Sequence, residues 1–268
     1  MDKDLRQQLL ALADKYETVS FLNGDPAWFM HQMADSLDQE TAAFLAMSLS
    51  YGARQQFLPK IRSLMEMAQW KPYKWIESGE FEQVIAPASK FFYRLYTYAD
   101  IRSMLIALQE LFHQYGSLGG FARTIVSLNI EGKTDVEAVL EAFSSFFRER
   151  GIKGMVPSPY TSACKRPCMF LRWMVRDSSP VDLGLWSSFM DQSHLFIPLD
   201  THVMQTATRL HINIGKSAGW KAVVKLTSKM REVFPNDPAR ADYALYGYDI
   251  DSEEDKGEWV SGGRPCRG

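Results

Sequence analysis

Apolar residues recur along this chain at helical spacing almost from the first residue. Leu5, Leu9, Leu12 and Ala13 form an i, i+4, i+7, i+8 stripe that predicts a helix over 3–16. Asp25-Pro26 reads as an N-cap followed by a first-turn proline, opening a helix to about 36. Asp38 then opens a helix with Ala42, Leu45, Ala46 and Leu49 on one face, and another covers about 55–70. Asp100 opens a helix that Gly116 ends, and Thr134 or Asp135 opens one that Gly151 ends. Further helices are expected from 164 to 176, after Asp200, and near 238–249. Strand signals are weak: Thr124-Ile125-Val126 is β-branched but sits inside helical periodicity. Glycine and proline fall at helix ends, with no repeat and no low-complexity linker. The expectation is an all-α protein, with residues 1–248 as one helical domain and 249–268 as an acidic, then glycine-rich, mobile tail.

Composition narrows the class without naming a function. The 268 residues are 46% apolar and 23% charged, globular proportions that exclude a disordered or fibrous chain. No apolar run approaches a membrane span and the N-terminus is charged, so a cytoplasmic location is expected. Three cysteines, Cys164, Cys168 and Cys266, are too few for a disulfide framework. Cys164 and Cys168 share a helix face without a repeated ligand spacing nearby. They read as small packing residues, and no metal or cofactor is expected.

The net charge of −2 argues against a protein that coats nucleic acid. Its distribution is uneven. The last twenty residues are net −3. Between Arg148 and Arg176 lie seven bases (Arg148, Arg150, Lys153, Lys165, Arg166, Arg172, Arg176) and one acid, Glu149. On sequence alone this is a local basic grip within a near-neutral protein.

The chemistry-bearing residues fall in 151–210. A turn-rich segment, GIKGMVPSPYTSACKR, leads into the apolar helix CKRPCMFLRWMVR. Lys165 sits at its start, near the positive end of the helix dipole, which disfavours the protonated amine. An amine so placed can act as a nucleophile, although most lysines are simply solvated. Downstream, Phe196-Ile197-Pro198-Leu199 runs into Asp200-Thr201-His202-Val203. Asp200 is an N-cap carboxylate at the rim of a core.

Lys165-Arg166 before Met169-Phe170-Leu171, followed by Ile197-Pro198-Leu199-Asp200-Thr201-His202-Val203, resembles the signature of the helix-hairpin-helix DNA glycosylases and AP lyases. The 35-residue gap between Lys165 and Asp200 is similar to that of the archaeal 8-oxoguanine glycosylase branch and a related bacterial family, with an insertion (SSPVDLGLWSSFMDQSHL) carrying Asp182, Trp186 and Gln192. The resemblance spans about 36–248. It implies two helical subdomains sharing a cleft, a Schiff-base lysine at Lys165 and an assisting Asp200. It implies a base pocket of Met169, Asp242 and Tyr246. It also implies DNA contacts at Lys153, Thr161, Ser162, Arg166 and His202. The partner implied is duplex DNA with a damaged or abasic nucleotide, met by a monomeric, nucleoid-associated enzyme without a cofactor. The sequence departs from the family at the hairpin: Val156-Pro157-Ser158-Pro159 stands where a glycine-rich turn would offer N–H groups to phosphate. No four-cysteine cluster follows the last helix, so the iron–sulfur form is excluded. The alternatives are a DNA-binding protein without glycosylase chemistry and a helical scaffold for protein partners.

Overall fold

The computed structural model describes residues 1–152, 154–159, 161–215 and 217–261, and they are mostly helical. In chain order these are α1 (Lys3–Tyr16), 3-10 segments at Val19–Leu22 and Pro26–Gln32, α2 (Ser36–Leu49), α3 (Arg54–Met67), α4 (Pro72–Glu77) and α5 (Phe81–Val84). A two-stranded hairpin, β1 (Phe91–Tyr93) and β2 (Tyr96–Thr97), leads into α6 (Tyr98–Tyr115), α7 (Leu118–Ser127) and α8 (Asp135–Glu149). Then come α9 (Lys165–Val175), a 3-10 turn Gln192–His194, α10 (Thr201–Arg209), α11 (Trp220–Met230), a 3-10 turn Pro238–Arg240 and α12 (Ala241–Ser261).

Capping chemistry decides where these elements begin, and in two places it differs from the expected start. Asp35, not Asp38, caps α2, accepting from Leu37 N at 2.9 Å; Asp38 lies in the first turn and accepts from Tyr73 N at 2.9 Å. Thr97 caps α6, and Asp100 is the reciprocal partner of that capping box. The Asp25-Pro26 cap forms as expected, but the segment it opens is a 3-10 turn ending at Gln32. Gly116 and Gly151, at φ of +80° and +77°, end α6 and α8 as expected. The hairpin at 91–97 and helices α7 and α11 were not legible from periodicity. The last helix passes through position 248 without a break, and Asp251 pairs with Lys15 of α1 at 2.8 Å.

α2 lies at the centre. All ten residues from Glu40 to Leu49 are buried, so this helix has no solvent face and packs against α3, α4, α7, α9 and the Pro26–Gln32 turn. The first and last helices, α1 and α12, pack along each other, bringing the start and end of the domain together. Buried side chains form one continuous hydrophobic cluster.

One carboxylate inside that cluster fixes the insertion. Glu40 is 4% exposed and accepts from the Trp186 indole N–H at 3.0 Å and from Gly119 N at 3.1 Å. Trp186 in turn lies edge-on to Phe170, and its backbone N–H donates to Met174 O at 2.7 Å. The segment after α9 is thereby stapled to both α2 and α9. A Cβ on Gly119 would lie 2.8 Å from Trp186 Nε1 and 3.0 Å from Glu40 Oε2, so this contact admits only glycine. Gly119→Ala is expected to destabilise the fold by about 1–3 kcal/mol through overpacking. Glu40→Ala should cost a similar amount, because it leaves two buried N–H groups without an acceptor. Urea unfolding of both variants checks this; wild-type stability in Glu40→Ala would remove the staple from the account.

Candidate active site at the amino ends of α9 and α10

Lys165 is the first residue of α9, and Asp200 is the N-cap of α10. Between them the chain makes α9, the stapled insertion and a buried approach through Phe196, Ile197 and Leu199. The two helix starts converge, and Lys165 Nζ donates to Asp200 Oδ2 at 2.6 Å. That distance is typical of a charge-assisted hydrogen bond. Asp200 uses its other oxygen as a cap, accepting from Val203 N at 2.9 Å. Burial pushes the Asp200 carboxyl up, but the Lys165 charge and hydrogen bond, the Val203 N–H and His202 outweigh it and hold the group below the usual aspartate range. The lysine side chain is 45% exposed, so the pair sits at a solvent-open rim.

The turn into α9 is set by Cys164, a non-glycine residue at φ +50°. Its N–H donates to Ser162 Oγ at 3.1 Å and its thiol to Pro157 O at 3.3 Å, which hold the left-handed conformation. Burial pushes the Cys164 thiol up to about 11, so it packs rather than reacts.

Of the residues expected to form a base pocket, Asp242 and Tyr246 lie one turn apart on α12, and Met169 is half-buried one turn after Lys165 on α9. Asp242 lies within electrostatic range of both Lys165 and Asp200, and Arg172 Nη1 donates to its carboxylate. Burial pushes the Asp242 carboxyl up to about 6, against the pull of Arg172 and Lys165. Tyr246 is half-buried, with its ring edge-to-face with Phe21 at 5.1 Å and with Tyr16 at 6.0 Å.

The expected DNA contacts are placed differently. His202 is exposed, 3.6 Å from Asp249 and beside Asp200. Arg166 turns inward: Nη1 donates to Ser48 O at 2.7 Å and Nη2 to Gly154 O, so its guanidinium ties the turn to α2. The N–H and hydroxyl of Thr161 and of Ser162 all donate to Ser158 O, at 3.0–3.3 Å. Their hydrogen-bond donors are spent within the turn. Lys153 lies outside the described residues.

The local basic grip read from 148–176 is corrected. Arg172 and Arg176 are each 2% exposed. Arg172 bonds Asp182 and Asp242, and Arg176 bonds Asp182, Asp237 and Glu17. Arg150 pairs with Glu110 at 2.6 Å over the Phe146 ring. The carboxylates come from far along the chain, so a count within one stretch cannot register them. Two further residues, Asp25 and Arg54, also belong to this region and were not singled out for chemistry. Asp25 is buried, and Lys165 and Arg172 both act on its carboxyl. In sequence its only signal is that of a cap before proline. Two surface cavities lie elsewhere, one beside Asp135 and Phe189 and one beside Tyr96 and Gly154.

Asp242 provides a test of these electrostatics. Its folded-state pKa of about 6 lies above the ordinary 3.8, so the folded protein holds the proton more tightly than the unfolded chain. That contribution is present in full below about pH 4 and is lost as pH rises through 6. Its full range is about 3 kcal/mol, of which about 1 kcal/mol falls between pH 5 and 7. Asp242→Asn, with Arg172 still paired to Asp182, is expected to gain stability relative to wild type across that window. Urea titrations of both proteins at pH 5 and 7 measure it; a constant difference would place the Asp242 pKa near its ordinary value.

No curated protein and no solved structure matches the chain. A family model does match, over residues 25–251, which takes in α2 to α11, Lys165, Asp200, Asp242 and Asp25 itself. The chain therefore belongs to the family described as a protein of unknown function, DUF2400.

Proposed function

We propose that this protein is a base-excision repair enzyme, a DNA glycosylase with AP lyase activity that removes an oxidised purine of 8-oxoguanine type from duplex DNA. The observation that carries the reading is the 2.6 Å contact between Lys165 Nζ and Asp200 Oδ2 where two helices begin. A lysine as nucleophile needs a neighbour to take its proton, and a carboxylate held ionised at that distance supplies one. In this reading the helices form two subdomains of helix-hairpin-helix type around a cleft, with this pair at its rim. The protein acts as a monomer at the nucleoid, without a cofactor.

The chemistry runs through this chain's own side chains. The duplex opens and the damaged nucleotide swings out, at a cost of a few kcal/mol. Asp200 accepts a proton from the Lys165 ammonium. The freed Nζ lone pair attacks C1′, the C1′–N bond breaks, and the base leaves with that electron pair and takes the proton held by Asp200. Nζ gives up a proton to O4′ as the C1′–O4′ bond breaks, and the opened sugar is held as a Schiff base between Nζ and C1′. Loss of a C2′ proton to solvent then expels the 3′ phosphate and nicks the strand, and water hydrolyses the imine to free Lys165. Asp242 and Tyr246 flank the departing base, and His202 lies on the exposed side of the pair.

Borohydride trapping on duplexes containing 8-oxoguanine or an abasic site tests this directly. The wild-type protein should form a covalent adduct, and Lys165→Gln should form none. Asp200→Asn keeps the cap but lacks the proton acceptor, and is expected to trap about a hundredfold more slowly or worse. An undiminished adduct in Lys165→Gln would reject the role of this lysine. Salt-dependent duplex binding by wild type with no base released and no adduct would favour a DNA-binding protein instead.

A further inference from the structure

Asp25 is a buried acid whose fold role does not use all of it. Oδ1 accepts from Ala27 N at 2.9 Å and so caps the Pro26–Gln32 turn. Among the described residues Oδ2 has no hydrogen bond; its nearest cation is Arg54 Nη2 at 3.6 Å. A carboxylate oxygen so placed, on a side chain 8% exposed, retains acceptor capacity in a partly dry setting. Burial prevails and holds the Asp25 carboxyl above the usual aspartate range, although the Ala27 N–H, Arg54, Arg172 and Lys165 pull it down.

Its neighbours form a closed circuit. The Arg54 guanidinium lies 5.9 Å from the centre of the Tyr246 ring. Tyr246 packs on Phe21, which packs on Tyr243 at 5.0 Å. Arg172 lies 4.6 Å over Tyr243 and bonds Asp242. Lys165 acts on both Asp25 and Asp242. The cluster therefore carries two carboxylates with oxygens beyond those used in pairing, together with an aromatic ring and the lysine. Such a wall of acceptors favours a ligand edge made of N–H donors. A guanine-type edge, with its ring N1–H and exocyclic amine, offers two adjacent donors. An adenine-type edge offers a bare ring nitrogen at the same place, and its lone pair would face a carboxylate.

We propose that Asp25, through Oδ2, is the specificity residue of this cluster and accepts a hydrogen bond from the ring N–H of a guanine-type base. The inference rests on the base-excision reading for its ligand, and its test separates the two. Asp25→Asn is the informative variant, because asparagine caps as well as aspartate and keeps the shape, but removes the carboxylate and its charge. Calorimetric titration with 8-oxoguanosine and with 8-oxoadenosine is run on wild type and on Asp25→Asn, alongside borohydride trapping on an abasic duplex, which needs no base. Wild type should bind 8-oxoguanosine about tenfold or more tightly than 8-oxoadenosine. Asp25→Asn should lose that preference while still trapping the abasic duplex. Equal affinities in wild type, or an unchanged preference in Asp25→Asn, would overturn the assignment. Loss of preference together with loss of trapping and a lowered Tm would also overturn it, because Asp25 would then be a structural cap. Asp25→Ser, which retains a capping hydroxyl, repeats the comparison if the asparagine variant does not fold. A nucleoside preference that depends on Asp25 in a protein that never traps DNA would leave the pocket standing and remove the lyase.

Discussion

Two buried arginines organise the molecule. Arg172 in the last turn of α9 and Arg176 at its C-cap each bury a guanidinium that cannot shed its charge. A buried cation is tolerated only when its partners are close and well aligned, and the loss of one partner is strongly destabilising. The partners here are Glu17 after α1, Asp182 in the insertion, Asp237 before the last 3-10 turn and Asp242 in α12. Three distant segments and the adjoining insertion must therefore converge on α9 before these charges are satisfied. Tyr243 closes the arrangement by donating its hydroxyl to Asp182 at 3.1 Å. Once α9 is held at its carboxyl half, its first residue, Lys165, has a fixed place relative to α10 and α12.

The sequence shows the parts of this arrangement unequally. Helices with a solvent face, such as α1 and α8, leave a periodic stripe and were legible. Central α2 was placed from its small and apolar residues, although its full burial follows from neighbours that no local pattern names. The hairpin at 91–97 is too short for an alternation to develop. Lys165 and Asp200 were legible because helix starts have local grammar: a cap, a first-turn proline, an apolar approach. That they meet depends on the Glu40–Trp186 staple and the arginine network, whose longest contacts join residues 70 and more positions apart.

Charge was the least legible property. The basic stretch from 148 to 176 looks like a surface for phosphate, yet its two most interior arginines are neutralised by carboxylates that lie outside it. Arg166 ties two backbone carbonyls together. The turn before α9 spends its donors on Ser158 O. The stretch thus acts first as scaffold. Any anionic partner would meet the exposed rim around Lys165 and His202 and not a continuous basic band.

That rim holds two aspartates whose environments drive them apart. Asp200 has a cation in contact and a backbone N–H on its other oxygen, so it stays ionised despite burial. Asp242 also has a cation in contact, but Arg172 is shared with Asp182, and burial prevails. Both act on one lysine. Asp200 stays a carboxylate, and so an available proton acceptor, across the range near pH 6 in which Asp242 changes state. Under the proposed chemistry this divides the labour. Asp200 handles the lysine proton, and Asp242 faces the base, where a group that can accept or donate according to its protonation suits a leaving group that must itself gain a proton. The same asymmetry explains why Arg172 is divided between two acids. Undivided pairing would hold Asp242 ionised as firmly as Asp200, and the two carboxylates would become equivalent.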